Sequence, residues 1–188
     1  MKLGTHNSMS YLPPKKWYMY PFRFIAKCQN KSILEQYDLG ARMFDIRVSF
    51  DGLVPEFRHG SMAFKGNVFD ILELLDSIGE PIYIRLILEI NKNTKNRGIK
   101  EKLFMYFCSL VEKKYSNLNF FCGRRKFDWA QLYRFKLDDI NVVQKISSMT
   151  GTKLDDIWPW IYAKLNNKRN LEKHNQDDWL LIDFIGIQ

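Results

Sequence analysis

Apolar and polar residues alternate with a period of two along three stretches of the chain. From about residue 42 to 49, Phe44, Ile46 and Val48 share one face, while Met43, Asp45 and Arg47 share the other. From 82 to 90, Ile82, Ile84, Leu86, Leu88 and Ile90 oppose Tyr83, Arg85, Ile87 and Glu89. Near the C-terminus Leu180, Ile182 and Phe184 oppose Trp179, Leu181 and Asp183 more weakly. These stretches predict strands, and residues 1 to 5 predict a short first strand ending at His6. Helical spacing lies between them. Ser32, with Glu35 three residues on, forms a capping-box pattern for a helix that stops at Gly40. Val68, Ile71, Leu72, Leu75 and Ile78 mark a helix at about 67 to 79, and Leu103, Phe104, Phe107, Leu110 and Val111 mark another at about 99 to 114. Strand and helix alternation predicts a single α/β domain, residues 1–188, with a mainly parallel sheet. Past residue 123 the pattern weakens. Trp129, Trp158, Trp160 and Tyr162 suggest core, Pro159 a break, and Asn166 to Arg169 a solvated turn.

The second face of these strands carries charge, whereas both faces of a parallel sheet are normally dry. An ion pair on a solvated face would account for Asp45 and Arg47 alone. Inward polar residues on three strands favour a barrel, with helices outside and polar side chains gathered at the carboxyl ends of the strands. The chain has 188 residues, fewer than the roughly 200 to 250 of a full (β/α)8 barrel. The expected fold is therefore a small, distorted or incomplete TIM barrel.

Composition narrows the partners. The chain has 29 Lys and Arg against 21 Asp and Glu, a net charge of +8, which favours anionic partners such as phospholipid head groups or nucleic acid. No apolar run reaches the roughly 18 to 20 residues that cross a bilayer, and Gly4 to Ser8 interrupt any secretory signal pattern. A cytoplasmic monomer is the default expectation. Cys28, Cys108 and Cys122 are too widely spaced for a zinc motif or a disulfide framework, so free buried thiols are expected.

Three stretches carry candidate chemistry: Gly4-Thr5-His6-Asn7-Ser8 after the first strand, Gly40-Ala41-Arg42-Met43-Phe44-Asp45-Ile46-Arg47 along the second, and Phe57-Arg58-His59-Gly60 after the turn at Asp51 and Gly52. Together and in this order they resemble the X region of the phosphatidylinositol-specific phospholipase C superfamily. The helix from Val68 to Leu75 and the strand from Tyr83 to Glu89 extend the likeness over about residues 3 to 90, and Leu181 to Ile185 resemble it again. The resemblance implies a distorted TIM barrel that cleaves a phosphodiester through a cyclic phosphate. It implies His6 as general base on the attacking inositol hydroxyl and His59 as general acid on the leaving oxygen. Two imidazoles titrating near neutrality suit that exchange, and the planar fork of Arg47 suits the phosphoryl charge. Asp45 is expected to orient His59 and raise its pKa, and Asp183 to do the same for His6.

Asn7 departs from the metal-independent bacterial pattern and resembles the calcium-dependent eukaryotic one. Calcium held by Asn7, Asp45 and Glu89 is thus an alternative, but Arg47 puts a cation where that pattern has a carboxylate. No metal or other cofactor is the favoured expectation. Asn7 would then donate its amide to a phosphoryl oxygen. Arg85 and Glu89 would hold head-group hydroxyls, or pair with each other. A Lys of the bacterial enzymes is absent near Ile87 and Leu88, which leaves open a non-catalytic module that binds anionic lipid or nucleic acid.

Trp17, Tyr18, Tyr20, Phe22 and Phe24 interleave with Lys15, Lys16 and Arg23. Packing over a barrel end is the favoured reading; docking on an anionic membrane or stacking on single-stranded nucleic acid would use the same residues. Nucleic acid is not favoured as the partner. Lys100, Lys102, Lys113 and Lys114 read as the wet side of a helix.

Overall fold

The computed structural model describes residues 2–90, 94–123, 134–147 and 157–187; Trp129, expected in the core, lies outside them. The first strand, β1 (Lys2–Thr5), is followed by short 3-10 segments at Ser8–Tyr11 and Trp17–Phe22, then by α1 (Arg23–Ala26) and α2 (Ile33–Asp38). Ser32 and Glu35 form the expected capping box of α2, and Gly40 takes a positive φ of 96° to turn the chain into the next strand. That strand, β2 (Ala41–Asp51), folds back as a hairpin into β3 (Val54–His59), which pairs with β4 (Met62–Ala63). There follow α3 (Val68–Asp76), β5 (Ile82–Leu88), α4 (Arg97–Lys114), β6 (Leu118–Gly123), β7 (Arg134–Leu137), β8 (Ile140–Lys145), α5 (Pro159–Glu172) and β9 (Trp179–Ile182).

Among the described residues six strands run parallel in the order β6, β5, β2, β1, β9, β8, with β7 antiparallel on β8. The sheet curls into a half-barrel. The two predicted faces of its strands become its two surfaces. Phe44, Ile46, Val48, Ile82, Ile84, Leu86, Leu180 and Ile182 belong to the main core, with α3 and α4 contributing Leu72, Leu75, Phe104 and Phe107. Each such side chain withdrawn from water contributes about 1.5–3 kcal/mol. Met43, Val142, Trp179 and Leu181 form a second cluster inside the curl, against Tyr83 and Phe121. Tyr83 on β5 meets Trp179 on β9 with ring centroids 4.9 Å apart, across a sheet in which β2 and β1 stand between them. Arg85 Nη1 likewise donates to Gln144 Oε1 at 2.8 Å, from β5 to β8. The curl is thus filled by side chains from opposite sides.

The C-terminal third differs from expectation. Pro159 opens α5 instead of breaking a helix, because a first-turn residue has no intrahelical partner for the N–H that proline lacks. Asn166 to Arg169 lie in that helix, and Asn167 is buried, not in a solvated turn. Trp158 and Trp160 are each 45% exposed instead of core. Single-residue apolarity misleads there, since α5 has little amphipathic order to say which face is covered.

The β1–β2 junction tolerates only glycine at one point. The register between these strands shifts at Leu3/Gly4, and a Cβ on Gly4 would stand 2.9 Å from both Met43 Cβ and the Met43 carbonyl oxygen. Gly4→Ala is expected to lower stability by about 1–3 kcal/mol, the range for overpacking, measured as a fall in the urea midpoint.

Candidate active site

Parallel strands deliver their carboxyl ends to one rim, and four of them supply a polar residue there. His6 follows β1, Asp45 and Arg47 lie in β2, Glu89 follows β5, and Asp183 follows β9. The β2–β3 hairpin pairs Val48 with Phe57, so His59, two residues beyond Phe57, returns to the same rim. His6 and His59 then stand with ring centroids 6.2 Å apart, edge to face. The residues that directly follow two of the site positions, Asn7 (φ 45°) and Phe184 (φ 48°), adopt the left-handed region. That conformation is unfavourable for an aromatic residue such as Phe184 and holds the chain in a sharp bend behind Asp183.

The hydrogen bonds fix the state of His6. Nδ1 lies 2.7 Å from Asp183 Oδ1, and Nε2 lies 2.7 Å from Arg47 Nη2. A guanidinium can only donate, and a carboxylate accepts. In the neutral ring the proton therefore sits on Nδ1, facing Asp183, and the Nε2 lone pair accepts from Arg47. Asp183 is held in turn by the Ser147 N–H at 3.0 Å on Oδ2, and the Asn167 amide donates to its carbonyl oxygen at 2.8 Å. Gln29 ties the two strand ends together, donating to the His6 and Ile182 carbonyls at 3.1 and 3.0 Å.

Arg47 is 4% exposed and sits among carboxylates. Its Nε and Nη2 reach Asp45 Oδ2 at 3.1 and 3.0 Å, and its Nη1 reaches Glu89 Oε2 at 3.4 Å. Burial works against its charge, but Asp45 and Glu89 more than offset this and raise its pKa above the ordinary value. Burial also works to raise the Asp45 carboxyl, yet Arg47, Arg85 and the Asn7 backbone N–H at 3.1 Å hold it well below the usual carboxylate range.

Three expected roles are met by other partners. Asp45 makes its bonds to Arg47 and Asn7, not to His59; its Oδ2 is 3.8 Å from His6 Nε2. His59 instead puts Nδ1 2.9 Å from the Ala26 carbonyl oxygen, and its pKa is lowered, not raised. Burial of the half-buried ring and the nearby Arg47 cation push it down to about 4, against the pull of Glu89. Asn7 turns its side-chain amide toward Cys28 Sγ, 3.9 Å away, instead of into the site. Arg85 and Glu89 are both buried; Arg85 bonds Gln144 across the curl, and Glu89 accepts from Arg47 and from the Gly60 N–H at 3.1 Å. Burial lowers Arg85 to about 10, leaving it a cation at neutral pH. Gln29, Ser147 and the Ala26 carbonyl were not legible as site residues, because buried polar residues in loops carry no periodic signal.

The fold has known counterparts. A mutant of the phosphatidylinositol-specific phospholipase C from Staphylococcus aureus superposes with a TM-score of 0.65 at 15% identity, covering 100% of this chain and 86% of that one. The phosphatidylinositol-specific phospholipase C from Listeria monocytogenes gives 0.59 at 14% identity, covering 97% and 87%. No family model matches the sequence, and no curated protein matches it. The fold is that of the bacterial phosphatidylinositol-specific phospholipases C, which the sequence motifs resemble.

The lowered His59 pKa has a consequence for stability. Between its ordinary value of 6.5 and about 4 the unfolded chain binds a proton that the folded chain does not. Folding stability should therefore decline as the pH falls from about 6.5 to 4. In urea titrations across that range, the decline is expected to be shallower for His59→Gln than for the unaltered protein.

Proposed function

We propose that this protein is a metal-independent phosphodiesterase that cleaves phosphatidylinositol or a related lipid to a cyclic phosphate. The observation that carries the reading is the chain of contacts Asp183–His6–Arg47. It leaves Nε2 unprotonated against Arg47, so a phosphoryl oxygen that draws the guanidinium to itself would free the lone pair for an adjacent hydroxyl. An inositol hydroxyl seated there would lose its proton to His6 and attack the adjacent phosphorus, an intramolecular step that needs no external nucleophile. His59 would protonate the departing oxygen. Its depressed pKa means that it needs a counter-charge to take up that proton, and the phosphodiester anion between the two rings supplies one.

The oxygen donors proposed as an alternative calcium set argue for the metal-free reading. Two of them, Asp45 and Glu89, already share the Arg47 cation, and the Asn7 amide is directed at Cys28. A hard divalent ion takes six to eight oxygens, and here a guanidinium occupies the space between them.

The test is phosphorus NMR of the protein with phosphatidylinositol micelles, with and without EDTA. A cyclic inositol phosphate signal is expected, unchanged by EDTA and reduced by about 100-fold or more in His6→Ala, the usual scale for losing a general base. Product only with added calcium would overturn the metal-free mechanism. No product under either condition would move the assignment to another phosphodiester or to a binding role.

The same reading places the protein on an anionic membrane. None of Trp17–Phe22 is buried, Trp17 is 82% exposed, and Phe24 stacks on Trp158 with centroids 5.1 Å apart. Lys15, Lys16 and Arg23 flank this aromatic surface, the combination that settles at head-group depth. The favoured expectation that these rings pack over the barrel end is not met. No helix among the described residues is long and apolar enough to cross a membrane. In vesicle sedimentation, Trp17→Ala with Phe22→Ala should weaken binding to phosphatidylserine-containing vesicles several-fold, and equal binding by both proteins would refute this role.

A further inference from the structure

Behind the catalytic face of His6 lies a set of atoms that the proposed reaction does not use. His6, Cys28 and Asp183 form the only group of three or more His, Cys, Asp or Glu residues among the described residues whose ligand atoms all lie within 4.8 Å of one another. They come from three separate segments: the end of β1, the loop before α2 and the end of β9. All are buried, at 4%, 1% and 0% exposure. We propose that they form a site for a thiophilic divalent cation of the zinc class, and that its occupancy inhibits the enzyme.

The donor types select the ion. A thiolate, an imidazole nitrogen and a carboxylate are the ligands zinc takes, whereas calcium and magnesium take oxygens. With metal–ligand lengths of about 2.0–2.3 Å, the ligand atoms of a tetrahedral site stand about 3.3–3.7 Å apart. His6 Nδ1 and Asp183 Oδ1 are now closer than this, at 2.7 Å, and the limit of 4.8 Å on the other pairs leaves about an ångström to close. Small side-chain rotations make both adjustments. The Asn7 amide, whose nitrogen is 3.9 Å from the sulfur, can rotate to offer its oxygen as a fourth ligand. Arg47 is on the other side of the ring, at Nε2, so the guanidinium that excludes a hard cation from the Asp45–Glu89 side does not stand between these three ligands.

Binding would reverse the tautomer that the proposed chemistry requires. The ion forms bonds to Cys28 Sγ, His6 Nδ1 and the Asp183 carboxylate, and the Cys28 thiol releases its proton to solvent. The proton on Nδ1 is displaced and the neutral ring carries it on Nε2 instead. Nε2 then has no lone pair to accept a proton from substrate, and its N–H faces the Arg47 donor that is now 2.7 Å away, so the guanidinium must draw back toward Asp45 and Glu89. This inhibitory consequence rests on His6 serving as the general base; the binding itself does not.

The binding is tested first, without reference to activity. The full chain, stripped with EDTA and then freed of it, is titrated with Co2+ while the near-ultraviolet sulfur-to-cobalt charge-transfer absorption is read. The expected result is a band that saturates at about one equivalent, is lost in Cys28→Ser, and is retained when Cys108 and Cys122 are both changed to Ser. No band, or a band that survives in Cys28→Ser, overturns the site. Turnover of phosphatidylinositol is then compared with and without Zn2+ after long pre-incubation. Cys28→Ser is expected to need at least tenfold more Zn2+ for half-inhibition. Equal sensitivity of the two proteins, with the cobalt band present, would overturn the inhibitory role while leaving the site. Absence of turnover in either protein would count against the phosphodiesterase reading and not against the metal site.

Discussion

The buried guanidinium of Arg47 is the constraint around which this site is arranged. It contacts Asp45, Glu89 and His6 at once, and its charge also reaches His59. Asp45 stays ionised although burial works to raise its pKa. The Nε2 of His6 is made an acceptor, and after burial the Arg47 cation is the next force that pushes His59 toward its neutral form. A buried cation of this kind is tolerable only while its counter-charges remain, because removing one partner of such a set leaves an uncompensated charge at a cost of about 3–5 kcal/mol. Structure and reactivity are therefore tied to the same few hydrogen bonds.

The half-barrel supplies what that arrangement needs. Parallel strands bring His6, Arg47, Glu89 and Asp183 to one rim from positions far apart in the chain, and an antiparallel hairpin adds His59 to the same rim. The inner cluster around Met43, Tyr83, Trp179 and Leu181 closes the curl below it. With its floor filled by apolar side chains, the rim is dry on one side, and charges there interact more strongly than they would in water. The left-handed residues Asn7 and Phe184, each just past a site residue, show where the backbone is bent to aim these groups.

The two sides of the His6 ring differ in chemistry. Toward Arg47 the surroundings are oxygen ligands already neutralised by a fixed cation; toward Asp183 they include the Cys28 sulfur, whose thiol is pushed well up by burial and by Asp183. One imidazole thus separates the side proposed to meet phosphate from the side proposed to take a soft metal. Outside the site, the aromatic 3-10 segment Trp17–Phe22 presents rings to solvent beside basic residues, so the same chain that builds a dry interior leaves a hydrophobic surface uncovered.

Much of this was legible in the sequence, because period-two alternation reports which face of a strand each residue occupies, although here both faces are buried. Phe44 against Asp45, and Ile84 against Arg85, separated the outer core from the inner face, and His6, Arg47 and His59 stood in motifs whose order is itself informative. The capping box at Ser32 and Glu35 was readable because its contacts span only three residues. Pairings across long sequence distances were not. That Asp45 serves Arg47 and not His59, that Asn7 faces Cys28, that Ala26 holds His59, and that Gln29 joins the ends of β1 and β9 depend on how the sheet curls. Residue type and spacing determined which chemical groups this protein carries and which strand faces they occupy; only the tertiary structure decided their partners, because a hydrogen bond is a matter of ångströms and those distances are set by the packing of the whole sheet.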